Sequence, residues 1–211
     1  RNQKDDIAQI KLVVIKYVKL KYIGGFMKTL VLVLSVLLIV GLTDVNAQGL
    51  VGRWSMDEGI GPALVDSSTS GHNGTLYGSP SWVTGITGLA LSLDGGTYAE
   101  VGNASSLNIT NQITLTAWIK CEQTGYATQR IIVKALMDAN DGYELSLSSP
   151  GKVFVRFNQK SNLNTYRLDS KVSYPINGTA WMHVAATYDG STIKMYINGV
   201  LNVTRASTAP I

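Results

Sequence analysis

The chain has 211 residues, the length of one domain with added segments. Charged residues make up 15% against the ~25% of an average globular chain, and hydrophobic residues 45%, which excludes a charged disordered chain, a collagen and a coiled coil. The single cysteine, Cys121, excludes an internal disulfide framework and a cysteine-based zinc site. The formal charge of +4 comes from residues 1–47, which hold 7 Lys/Arg and 3 Asp/Glu; residues 48–211 hold 11 of each, so no nucleic-acid partner is expected.

Residues 1–26 begin with Arg1, and Lys11, Lys16, Lys19 and Lys21 break up their apolar residues. No clean amphipathic face forms. The segment reads as an untranslated leader or a disordered extension. Met27-Lys28-Thr29 then opens a basic region, Leu30 to Leu42 is an apolar run, and Val45-Asn46-Ala47 supplies small or modest residues ahead of Gln48. That three-part form is a secretory signal peptide over 27–47. As a helix the run reaches only ~20 Å, short of a ~30 Å hydrocarbon core, so no membrane span is expected in the mature chain.

From Gly49 onward the helical period disappears, and short β-branched and aromatic runs alternate with Gly, Asn, Asp and Ser clusters. The pattern predicts strands at 51–57, 89–93, 98–101, 113–120, 130–133, 143–147, 153–157, 165–168, 183–188, 193–197 and 200–203. Along 113–119, Ile113, Leu115, Ala117 and Ile119 share one face, and Thr114, Thr116 and Trp118 the other. Asp189-Gly190 and Asn198-Gly199 predict tight hairpins, and Pro150-Gly151 another turn. Strands this short and turns this frequent predict an all-β fold, two antiparallel sheets packed as a sandwich over 48–211.

Leu50-Val-Gly-Arg-Trp-Ser-Met-Asp-Glu-Gly59, Gly88-Leu-Ala-Leu-Ser-Leu-Asp-Gly95, Ile113-Thr-Leu-Thr-Ala-Trp-Ile119, Gly142-Tyr-Glu-Leu-Ser-Leu147 and Trp181-Met-His-Val-Ala-Ala-Thr-Tyr-Asp-Gly190 follow one another in order. Together with Ile193-Lys-Met-Tyr-Ile-Asn-Gly-Val200 they resemble the laminin-G-like, concanavalin A-like lectin/glucanase jelly roll of secreted multidomain proteins. The resemblance implies further domains in the same polypeptide and a C-terminal strand beyond Ile211. It also implies a structural Ca²⁺ held by Asp57, Asp66 and Asp94 together with backbone carbonyls.

The fold hosts lectins, enzymes and spacers, so function rests on the residues. Retaining glycoside hydrolysis needs two carboxyl groups ~5–5.5 Å apart, as from i and i+2 on one strand face. Neither Asp57-Glu58 nor the set Asp138, Asp141 and Glu144 has that form, and the Glu-x-Asp-x-Glu strand of related glucanases is absent. No Gly-x-Ser-x-Gly turn exists to activate a serine. Asp138-Ala-Asn-Asp-Gly142 places its Gly one residue early for a calcium loop and reads as a hairpin loop. Trp82 and Tyr126, which fall in predicted loops, and Tyr166 are the candidate sugar-stacking residues. Trp54, Trp118 and Trp181 lie in or beside strands and are read as core. The expected function is a secreted, non-catalytic carbohydrate-binding or interaction module whose partner is a glycan or an extracellular protein. The alternatives are a structural or adhesion spacer and a module of a glycoside hydrolase or polysaccharide lyase.

Overall fold

The computed structural model describes residues 49–121, 128–135, 140–148, 151–175 and 177–208. It is built from thirteen antiparallel strands: β1 (Ala63–Leu64), β2 (Gly74–Tyr77), β3 (Ser81–Thr84), β4 (Leu89–Ser92), β5 (Tyr98–Val101), β6 (Ile113–Ile119), β7 (Thr128–Val133), β8 (Tyr143–Ser148), β9 (Lys152–Phe157), β10 (Arg167–Ser173), β11 (Met182–Tyr188), β12 (Thr192–Ile197) and β13 (Val200–Ala206). The only α-helix among the described residues is the single turn Gln159–Asn162. No helix among them is long and apolar enough to cross a membrane.

Two four-stranded sheets, ordered β10-β9-β8-β7 and β13-β12-β11-β6, form the sandwich. The period of two along each strand decides which side chains fill it. On β6, Ile113, Leu115, Ala117 and Ile119 are buried while Thr114 and Thr116 are exposed. On β11, Met182, Val184, Ala186 and Tyr188 point inward. Leu145 and Leu147 on β8, Val153, Val155 and Phe157 on β9, and Ile193 and Met195 on β12 complete this main core. Burying each Val, Leu or Ile side chain contributes about 1.5–3 kcal/mol. A second, smaller core of Met56, Leu64, Leu76 and Leu91 lies between the three-stranded sheet β1-β2-β5 and the hairpin β3-β4. Leu93 packs against both cores.

The all-β sandwich expected from the sequence is the observed fold. Its first predicted strand, 51–57, is not formed: only the isolated bridge Trp54–Asp66 remains. Met56 takes a left-handed φ of 57° that ends any extended run, and the Arg53 N–H donates to the Asp66 carboxylate rather than to a neighbouring strand. Strands β1, β2 and β3 were not expected. β2 begins with Gly74, which reads as a turn residue, yet a Cβ there would lie 2.7 Å from the Glu100 carbonyl oxygen. Glycine at that point lets β5 approach β2. The expected strand 165–168 is displaced and longer, as β10.

Candidate functional site

The outer face of the β13-β12-β11-β6 sheet carries an aromatic group assembled by register. His183 of β11 pairs with Trp118 of β6, and both project away from the main core. Their rings lie 5.2 Å apart at 56°. The His183 Nε2 is 2.6 Å from Thr116 Oγ1, which fixes the imidazole across the sheet. Burial lowers the pKa of His183 from its ordinary value, so the ring is neutral at neutral pH.

The β12–β13 hairpin closes one side. Asn198 and Gly199 have φ of 51° and 78°, the left-handed pair that an Asn-Gly turn accepts. Asn198 is tied twice to the adjacent strand: its Oδ1 accepts from His183 N–H at 2.9 Å, and its own N–H donates to the His183 carbonyl at 2.8 Å. Trp181, immediately before β11, forms the other side, with Lys120 Nζ 5.5 Å from its ring centroid. Beneath it, the buried Tyr174 hydroxyl donates to the Ile119 carbonyl and accepts from Cys121 N–H, while the Ala180 carbonyl lies 3.2 Å away. This one phenol joins the end of β6 to the segment carrying Trp181, and burial holds its pKa far above the ordinary value.

The result is a shallow depression of about 490 Å³ lined by Trp118, Trp181, His183, Asn198 and Gly199. It offers ring faces, an imidazole and a side-chain amide, with a cation beside it. The indole N–H of Trp118 is buried without a partner among the described residues. None of these five residues carries a carboxyl group. The chemistry on offer is stacking and hydrogen bonding.

Trp118 and Trp181, expected in the core, are instead half-buried on the outer face. The signal was present, because the alternation along 113–119 sets Trp118 with the two outward threonines. Trp54 matches the core reading: it packs on the smaller core and donates its indole N–H to the His72 carbonyl at 2.8 Å.

Trp82 and Tyr166 are placed apart from this depression. Trp82, expected in a loop, lies on β3 opposite Leu91 and packs on the smaller core, with its N–H buried and unbonded. Tyr166 lies in the turn before β10 and packs against the main core. Tyr126 and Asp138 lie outside the described residues.

The three aspartates expected to hold Ca²⁺ are engaged separately. Asp57 Oδ1 accepts from Leu89 N–H at 2.7 Å; a Cβ on Gly88 would stand 2.3 Å from that oxygen. Asp66 accepts from Arg53 N–H, Ser68 N–H, the Ser68 hydroxyl and His72 N–H, each at 2.8 Å. Burial alone would raise its pKa, but these donors outweigh it and the pKa is lowered. Asp94 Oδ1 closes a turn on Gly96 and Thr97 N–H at 3.1 and 2.9 Å. Among the described residues no three His, Cys, Asp or Glu are grouped to hold a metal ion.

No curated protein matches the chain. Among solved structures it is similar to domain 4 of AbnA, a GH43 extracellular arabinanase from Geobacillus stearothermophilus, in complex with arabinotriose. The TM-score is 0.56 and the identity 22%, over 76% of each chain, a likeness of fold. The family profile described as the concanavalin A-like lectin/glucanases superfamily, laminin G type, matches residues 93–211, more than half of the sequence. With its antiparallel sandwich, the chain belongs to the concanavalin A-like lectin/glucanases superfamily.

Proposed function

We propose that this chain is a secreted, non-catalytic carbohydrate-binding module, and that its sugar platform is the Trp118–Trp181 surface with His183 and Asn198 at the rim. The observation that carries the reading is an open depression lined by two tryptophan rings, beside hydrogen-bonding side chains fixed by their neighbours. A pyranose or furanose has apolar C–H faces and a polar rim, so it stacks on a ring and bonds at its edge. The family hosts glycan binders, and the similar arabinanase domain was solved with arabinotriose, which supports the same ligand class. The signal-like segment 27–47 supports export.

The test is affinity electrophoresis of the full chain in gels containing arabinan, xylan or mannan. Retardation by one of these is expected, weakened about tenfold or more in Trp181→Ala and Trp118→Ala. Trp82→Ala, by contrast, should lower thermal stability and leave retardation of the folded fraction unchanged. Unretarded migration in every gel would overturn the reading in favour of a spacer, and release of sugars from the gel would overturn its non-catalytic part.

A further inference from the structure

The aromatic depression occupies one end of a larger open face. Residues directly opposite one another in an antiparallel ladder share a face, so register sets the outward side chains of the β13-β12-β11-β6 sheet in rows. Trp118 and His183 form the first row. The next row crosses all four strands as Thr116, Ala185, Tyr196 and Leu201. A third follows as Thr114, Thr187, Lys194 and Thr204. Every one of these residues is half-buried or exposed, those of the central strands β11 and β12 included, so the face is uncovered from β6 to β13.

The middle row continues the chemistry of the depression. Tyr196 is half-buried, and Leu201 opposite it is 51% exposed, so the row ends in an apolar strip. Ala185, between Thr116 and Tyr196, is the smallest side chain of the row and leaves a low path from the depression to that strip. The third row borders the path with hydroxyls, Thr114 and Thr187 facing each other across β6 and β11. Within the second and third rows Lys194 is the one residue of fixed charge, and its Nζ lies 3.8 Å from Asp189 Oδ2. These rows therefore suit an uncharged ligand with apolar faces and hydroxyl edges.

We infer that Tyr196 is a further stacking residue, and that the site takes an extended, uncharged glycan chain laid diagonally across the sheet from Trp118 to Tyr196 rather than a single sugar. The inference rests on the carbohydrate-binding reading above. Trp118 and Tyr196 stand two strands apart, roughly 10 Å, and one row apart, roughly 7 Å, so roughly 12 Å separates them on the diagonal. That span exceeds one sugar ring. A monosaccharide reaches one aromatic or the other, whereas a chain reaches both and passes over Ala185 with threonine hydroxyls alongside.

The experiment is calorimetric titration of the full chain, and of Tyr196→Ala, Tyr196→Phe, Ala185→Gln and Trp181→Ala, with arabino-, xylo- and manno-oligosaccharides from the disaccharide to the hexasaccharide. Thermal melts check that each variant is folded. For the ladder that binds, affinity should climb with length by about tenfold or more and level off once the chain spans both rings. Tyr196→Ala should erase that climb, and Tyr196→Phe should keep it, because the ring alone stacks. Ala185→Gln, which raises a side chain in the path, should also erase it and serves if Tyr196→Ala does not fold. Trp181→Ala should weaken every length, the disaccharide included. Equal affinity for all lengths, or a climb that survives in Tyr196→Ala or in Ala185→Gln, would overturn the inference and spare the aromatic platform. So would a change of oligomeric state in Tyr196→Ala on sedimentation, which would make the Tyr196–Leu201 strip a contact between copies. Absence of binding to every ladder would sink the platform and this extension together.

Discussion

Four donors from three residues converge on the Asp66 carboxylate and leave its lone pairs committed to the loop 66–73. Removing the acceptor strands backbone N–H groups in a partly buried turn, and each stranded group costs about 1–3 kcal/mol. Asp66→Ala should therefore destabilise the fold by about 2–4 kcal/mol in urea titrations, by the same amount in EDTA and in millimolar Ca²⁺. Asp66→Asn should also destabilise, because its amide NH₂ would face the His72 N–H or the Arg53 N–H with a donor. A loss seen only with calcium present would instead make Asp66 a metal ligand. From sequence alone the two roles look alike: an aspartate followed by Ser67-Ser68 has the composition of a ligand loop and of a self-bonded turn. What separates them is the direction of the Arg53 and His72 N–H groups, which is not written in the local residue types.

Tyr174 acts on whole elements. Its hydroxyl bridges the end of β6 and the strand-entry segment before β11, the two pieces that carry Trp118 and Trp181. Tyr174→Phe keeps the ring in the core and removes only that bridge. It should cost about 1–3 kcal/mol of stability. It should also weaken retardation by neutral glycan in the folded protein and shift the tryptophan emission, whereas a purely packing role would leave both unchanged. The elements themselves were largely legible. Ile113–Ile119 and Met182–Tyr188 carry their faces in a strict period of two, and Asn198-Gly199 names its own turn. The short strands β1–β3 were not, because two- and four-residue pieces lack enough alternation to rise above loop composition. The aromatic site was half legible. The alternation pointed Trp118 outward, but the expectation that large rings fill cores pulled it inward, and the meeting with Trp181 depends on a buried phenol far along the chain.

At the scale of the whole molecule, acid should unfold the protein in two steps of slope, each with an assignable group. His183 has a pKa lowered by burial, so the unfolded chain takes up its proton first as the pH falls below about 6.5. Stability is then complete above that value and is lost downward until the folded imidazole also protonates. The second loss belongs to aspartates whose pKa values are lowered. In Asp94, Asp141 and Asp189 the leading cause is a side-chain hydrogen bond, from Thr97, Ser161 and Ser191 respectively. In Asp66, burial opposes the lowering and the loop donors outweigh it. Their contribution is present above the unfolded value of about 3.9 and disappears as the pH falls through their lower folded values. Urea melts from pH 8 to pH 2.5 should show both limbs. His183→Gln should flatten the upper limb and leave the lower one; Asp66→Asn should shrink the lower limb and leave the upper one. If His183→Gln kept the full slope between pH 7 and pH 5, the imidazole would not be the desolvated group the Thr116–Trp118 pocket makes it.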